Sequence, residues 1–277
     1  MALAPGLHFV ATPIGAARDI TLRALDILRD ADVLAAEDTR TLRHLMEIHG
    51  IALNGRPLVA YHDHNGDAAG PRLIRALEEG RTVAYASEAG TPLVSDPGFE
   101  LGRAAIAAGL PVLTAPGPSA VLAALTVSGL PSDRFLFAGF LPSTTAARQK
   151  ALREVAGVQA TLIFYESPKR LAASLRDMAE VMGPRAAVIC RELTKRFEET
   201  VRGPLPELAA AYADQTVKGE IVVLIDRAAP QAATEADVEA ALRTALQSAS
   251  VKDAAADVAA RLNLPKRDVY QMALRLT

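Results

Sequence analysis

Short apolar runs alternate along the chain with longer stretches whose apolar residues recur at helical spacing. LHFVAT (Leu7–Thr12) predicts a strand and TLRALDILRDA (Thr21–Ala31) a helix. DVLAAED is a second strand, and TRTLRHLMEIHG is a helix that stops at Gly50. PLVAYHD, TVAYASE and PVLTAPG continue the strands, with helices in PGFELGRAAIAAG and PSAVLAALTVSG. This alternation favours a mostly parallel sheet covered on both faces.

A second block begins near Leu130. RFLFAGFLP, ATLIFYES, AAVICREL and GEIVVLIDR read as strands. STTAARQKALREV and PKRLAASLRDMAEVMG read as helices, the latter with Pro168 near its start, where proline is tolerated. LPSDRF is the best boundary, so the chain divides into an N-terminal α/β domain over 1–130 and a second α/β domain over 131–228. After Arg227, AAPQAATEAD reads as a linker into a helical tail over 229–277. There VKDAAADVAARLNLPKRDVYQMALRL predicts helix, tight turn, helix, with Pro265 where the second helix begins. A small accessory helical bundle fits the same pattern. From Thr234 onward six Lys/Arg stand against six Asp/Glu, a balance that argues weakly for DNA binding.

Composition narrows the classes. The 277 residues, half of them hydrophobic, suffice for one large core or two modest domains. A net charge of -2 means that nucleic acid could be bound only through a local patch. Aromatic residues make up 4%, with no Trp, which argues against a broad stacking platform. The single cysteine, Cys190, excludes an intramolecular disulfide and a multi-Cys zinc site, and reads as a small buried hydrophobe. No apolar run has the length of a membrane span, and the N-terminus lacks the pattern of a signal peptide, so a soluble cytoplasmic protein is expected.

Chemistry collects where the apolar runs end. TPIGAARDIT, AEDTR, YHDHN, SEAGTPLVSDPG and APGPSA follow the first five strands in turn. In an open parallel sheet, ligands bind beyond the carboxyl ends of the strands, so these turns point to one site. The dinucleotide pattern G-x-G-x-x-G and the phosphate loop G-x-x-x-x-G-K-[ST] are both missing. A ligand gripped by exposed main chain, such as an adenosine without phosphates, suits the loops that are present. His62 and His64 in HDH share one face of an extended chain and make at most a two-ligand pair, so no metal is expected.

The ordered set ATPIGAARDIT, AEDTR, YHDHN, SEAGTPLVSDPG, APGPSA, LPSDRFLFAGFLP, FYESPKRL, RELTKRFEE and KGEIVVLI resembles the bacterial 16S ribosomal RNA (cytidine-2'-O)-methyltransferase I family. That family is a branch of the tetrapyrrole-methylase, or class III, superfamily. The likeness runs from about Leu7 to the C-terminus. It implies two α/β domains with a cofactor cleft between them and a small C-terminal helical tail. It also implies S-adenosylmethionine as donor, a cytidine ribose in the decoding region of the small ribosomal subunit as acceptor, and a homodimer. Glu88 stands where the family usually has Asp, and Ala16-Ala17 where Asn-Leu is usual.

By this resemblance Ala89, Gly90 and Thr91 line the donor, largely through backbone groups, and Ser119 and Ala120 admit its adenosine. Pro13, Tyr165, Leu193 and Glu220 join them by position. Asp96 is expected to cap the next helix or to serve the site. Methyl transfer to oxygen needs alignment and a general base, for which Glu37, Asp38, His62, His64 and Glu88 are candidates, with Glu88 and Asp38 favoured. Arg40, beside Asp38, reads as an RNA contact or as the ion-pair partner of Asp38. Together with Arg40, His62 and His64, candidate RNA contacts are Lys169, Arg170, Arg191, Lys195 and Arg196, for any of which ordinary surface charge is the alternative. Two other functions compete: a tetrapyrrole C-methyltransferase, and a non-catalytic module that binds the donor or RNA.

Overall fold

The computed structural model describes residues 3–62, 66–95, 98–229, 234–262 and 264–276. Residues up to Arg227 form one compact unit, and those from Ala228 a second. The first unit holds two five-stranded sheets.

The first sheet comprises β1 (Gly6–Val10), β2 (Val33–Ala36), β3 (Leu58–Ala60), β4 (Thr82–Ala86) and β5 (Val112–Ala115). Its order is β3-β2-β4-β1-β5, and every pairing is parallel. The central strands β1, β2 and β4 are buried throughout, as their unbroken apolar runs require. Helices α1 (Leu22–Asp30) and α2 (Thr39–Ile48) pack on one face around Leu28, Leu34 and Met46. Helices α3 (Gly66–Glu78) and α4 (Phe99–Ala107) pack on the other around Leu73, Tyr85 and Leu101.

The reading of the sequence assigned no helix to 66–78. Gly66, Gly70 and Pro71 lie in the first half of α3, where they weaken helix propensity, yet Ala69, Leu73 and Leu77 bury one face of it. A glycine sets the backbone at the start of α4. The capping position is Gly98, at φ +115, where an added Cβ would come within 3.0 Å of the Tyr85 ring. Asp96 lies outside the described residues, as does His64.

Helix α5 (Ala120–Ser128) connects the sheets and lies on the second one, with Val121, Ala124 and Leu125 packed among Ile163, Cys190 and Leu224. The second sheet contains β6 (Phe135–Phe140), β7 (Thr161–Glu166), β8 (Ala186–Arg191), β9 (Glu199–Pro204) and β10 (Ile221–Ile225), in the order β6-β7-β10-β8-β9. Only β6 and β7 pair in parallel; the other three pairings are antiparallel. Its other face is covered by α6 (Thr145–Val155), α7 (Leu171–Met182) and α8 (Leu205–Ala211) around Leu152, Leu175 and Met178. Helix α7 begins at Leu171 rather than beside Pro168, which sits in the preceding turn.

In the second unit, α9 (Glu235–Ala245) starts from a capping box in which Thr234 and Asp237 satisfy each other's backbone N–H groups. Helices α10 (Val251–Leu262) and α11 (Lys266–Leu276) complete a core of Val238, Leu242, Val258 and Val269. Among the described residues no helix is long and apolar enough to cross a membrane.

Candidate active site

Parallel strands bring their carboxyl ends to one edge, so the exits of β1, β2, β4 and β5 meet. Thr12 and Gly90 exchange both backbone hydrogen bonds, at 2.9 and 3.0 Å. The Thr12 hydroxyl donates to the Ser87 carbonyl (3.1 Å), and the Ser87 hydroxyl donates to the Gly90 carbonyl (2.5 Å). This clip uses the main-chain N–H and C=O of Gly90, the groups expected to hold the donor. Gly90 lies at φ +83, a backbone that glycine alone adopts without strain. The Thr91 hydroxyl donates to the Pro118 carbonyl at 2.9 Å. Gly90 and Thr91 thus shape the wall, and Ala89 beside them faces the space it encloses.

That space is a cleft of 660 Å³ between the loops of the first sheet and the face of the second. Pro13, Glu37, Glu88 and Ala89 line it from the first sheet, and Ala120 from α5. Tyr165, Leu193, Lys195 and Glu220 line it from the second. Gly90, Thr91 and Ser119 adjoin these positions without lining the cleft, and Asp38 does not line it either. Of the described candidate RNA contacts Lys195 alone is a lining residue; Arg40, His62, Lys169, Arg170, Arg191 and Arg196 are not.

A close approach stitches the two sheets together. A Cβ on Gly15 would stand 2.5 Å from Lys195 Cγ, 2.6 Å from Thr194 Oγ1 and 3.1 Å from the Leu193 carbonyl. The adjoining Ala16 N–H donates to Thr194 Oγ1 at 3.1 Å. Thr194 and Glu192 both adopt positive φ, +64 and +52, which non-glycine residues hold only when their surroundings fix them. The surroundings here are ionic. Lys195 Nζ reaches Glu192 and Glu220, each at 3.0 Å, and the Glu220 N–H donates to the Glu192 carboxylate at 3.0 Å. That N–H, more than the Lys195 ammonium, holds the Glu192 carboxyl below its ordinary range. Burial pulls the Lys195 ammonium down, but its two carboxylate partners outweigh it and leave its pKa raised.

The two favoured base candidates have opposite environments. Partial burial pushes the Glu88 carboxyl above its ordinary value of 4.5, and repulsion from Glu37, Asp38 and Glu220 adds to this against the attraction of Arg40. Asp38 is the N-cap of α2; it accepts from the Arg40 N–H and guanidinium, each at 2.8 Å, and its pKa falls to about 2. Arg40 is thereby the ion-pair partner of Asp38.

Other expected contacts also have partners. Arg191 pairs with Glu199 at 2.9 Å. The Arg170 guanidinium donates to the Leu141 and Pro142 carbonyls and pairs with the buried Glu166 at 3.3 Å. Arg196 lies 5.6 Å from the centroid of the exposed Phe197 ring. Lys169 is exposed. Glu166 and Phe140 line the cleft without having been expected there. Glu166 ends a strand, as Glu88 follows one, and the same rule would have found it. The signal for Phe140 was the glycine that interrupts the aromatic strand in FAGF.

The dimensions and lining fit the donor that the sequence implied. Ligand clefts run to about 300–1,000 Å³, and here Ile14, Val94 and Val222 supply apolar wall while Glu37, Glu88 and Glu220 supply negative charge for a cation.

A parallel sheet whose strand ends open onto a cleft closed by a second, mixed sheet is the architecture of the class III methyltransferases. Solved structures agree on the fold: the methyltransferase CobJ superposes with a TM-score of 0.61 at 22% identity, covering 82% of this chain and 95% of that one. Diphthine synthase superposes at 0.60 and 18% identity, covering 79% and 89%. The chain belongs to the tetrapyrrole (corrin/porphyrin) methylases, which it matches over residues 6–209. Residues 232–277 match the RsmI C-terminal HTH domain. Along nearly its whole length the chain is similar to the ribosomal RNA small subunit methyltransferase I of Mesorhizobium japonicum, at 50% identity over 99% of this chain and 93% of that protein. The proteins so named in Escherichia coli O157:H7 and Mycobacterium tuberculosis are 44% and 45% identical; they match 97% and 96% of this chain and 94% and 93% of their own lengths. The chain is a methyltransferase, and enzymes of this family draw their methyl group from S-adenosylmethionine.

Proposed function

We propose that the protein methylates the 2'-oxygen of a cytidine ribose in the decoding region of 16S ribosomal RNA. The observation that carries this reading is the end-to-end match to relatives named ribosomal RNA small subunit methyltransferase I, helical tail included. S-adenosylmethionine, when bound, supplies an electrophilic methyl group on a positively charged sulfur. The carboxylates of Glu37, Glu88 and Glu220 favour that charge. The ribose hydroxyl must lose its proton as the new C–O bond forms, and Glu88 takes it. A carboxyl lifted above its ordinary range by burial and like charges accepts a proton better than Asp38, which Arg40 holds at about 2. Asp38 then serves by fixing the start of α2 beside Glu37.

Small ribosomal subunits in the cytoplasm are the proposed partner. Lys169 and Arg196 are the candidate phosphate contacts least committed to carboxylates. A second copy of the chain is proposed as well, because Phe99 and Ile106 on α4, Leu122 on α5 and Leu113 on the edge strand β5 are exposed apolar positions. The test is transfer of labelled methyl groups to small subunits that lack their modifications, with the labelled nucleotide mapped. Label on a ribose of 16S RNA supports the reading; label on no RNA defeats it.

A further inference from the structure

Strand β6 breaks register one residue before its end. Phe135, Leu136 and Phe137 pair with Thr161, Leu162 and Ile163, but the next pair is Phe140 with Tyr165. Two residues, Ala138 and Gly139, therefore oppose Phe164 alone, and Gly139 takes φ +65 to make the bulge. In an unbroken strand residue 140 would share a face with Leu136 and Ala138, which pack into the core under α6 and α7. The extra residue turns Phe140 to the face of Phe137 and Tyr165, and so into the cleft wall.

The ring that arrives there is poorly covered. Phe140 remains 55% exposed, while Phe137 and Tyr165 pack edge-on at 4.8 Å and Tyr165 in turn meets Phe140 edge-on at 5.6 Å. Tyr165 therefore braces one side of Phe140, and the rest of this exposed residue lines the cleft. Ser95 and Ser167 also line the cleft, and a Cβ on Gly139, next to Phe140, would stand 3.8 Å from the Ser95 hydroxyl. A strand that spends its last pairing positions on presenting an exposed aromatic ring in a cleft that hydroxyls also line is built for a planar, polar-edged group.

We propose that Phe140 is the stacking platform for the base of the acceptor nucleotide. The inference rests on the reading of the protein as an RNA methyltransferase and adds the means by which the nucleotide is held. Stacking on an aromatic ring tolerates any base, so this contact sets the pose of the nucleotide, and sequence choice falls to other groups.

The experiment compares wild type, Phe140→Ala and Phe140→Tyr on unmodified small subunits, and measures the affinity of each for S-adenosylmethionine by calorimetry. Phe140→Ala should lower kcat/KM for the subunit by roughly ten- to a hundredfold, with donor affinity within about twofold of wild type, and Phe140→Tyr should restore most of the loss. Unchanged turnover in Phe140→Ala overturns the inference while leaving the proposed activity standing. A parallel loss of donor affinity also overturns it, since the ring would then serve the adenine of the donor. Absence of transfer by the wild-type chain overturns both.

Discussion

At the scale of single residues, the site turns on which carboxylate can carry a proton. Glu88→Gln should lower kcat by about 10²–10⁴-fold, the usual worth of a general base. Asp38→Asn, which keeps an oxygen to cap α2, should leave kcat within a few-fold. In the wild type the rate should climb with pH through a Glu88 pKa above 4.5, and Glu88→Gln should abolish that limb. Stability should move the other way. Because the folded pKa is raised, the folded state binds the Glu88 proton more tightly than the unfolded chain does. The resulting stabilisation is present in acid and is lost as pH rises through the folded value. Glu88→Gln should therefore melt higher than wild type at neutral pH, with the gap closing in acid; an equal melting temperature at neutral pH would show that the repulsion does not destabilise the fold. The place of Glu88 in the cleft wall was legible from its position after an apolar run. The role of Gly90 was not, because its hydrogen-bonding partner Thr12 lies in a different loop and the sequence does not say which main-chain groups are already taken.

At the scale of elements, the first sheet could be read almost strand by strand because the runs of its central strands β1, β2 and β4 are fully buried and its connections are helices. The second sheet was read less well, for physical reasons. Strand β9 is an edge strand that ends in Gly203-Pro204, so it lacks the apolar continuity of a central strand. Strand β10, last in sequence, inserts between β7 and β8 and makes both of its pairings antiparallel, an order that periodicity does not encode. The face under α6 and α7 also hides an ion pair. Arg148 and Asp177 are both about 2% exposed and meet at 2.6 Å, and Arg148 donates further to the Ser143 carbonyl at 3.0 Å. In the sequence both look like surface charges of amphipathic helices. Asp177→Ala leaves a buried guanidinium without its carboxylate and should cost about 3–5 kcal/mol, read as a lower denaturation midpoint. Replacing both partners with apolar residues of similar volume should recover much of that loss. If Asp177→Ala unfolds no more easily than wild type, the pair contributes nothing to holding α6 on α7.

At the scale of the whole molecule, two joints decide how the parts depend on one another. Within the first unit, the joint is Gly15 against Leu193, Thr194 and Lys195. Gly15→Ala must push the β8–β9 loop away from the first sheet, at a cost of about 1–3 kcal/mol for overpacking. It should also weaken donor binding by roughly tenfold, since the displaced loop carries Leu193 and Lys195 of the cleft wall. The second joint is the passage from Arg227 to the helical tail. The tail closes its own core of Val238, Leu242, Val258 and Val269 behind its own capping box, and the two sheets close theirs without it. A chain ending at Arg227 should therefore fold, melt cooperatively within a few degrees of the full chain, and bind S-adenosylmethionine with affinity within about twofold. If the tail contributes to recognising the ribosomal subunit, the same truncation should raise KM for subunits while leaving donor affinity alone, a split that a merely stabilising tail cannot produce. Loss of donor binding on truncation would show that the cleft depends on residues beyond 227 and would overturn a division at that point.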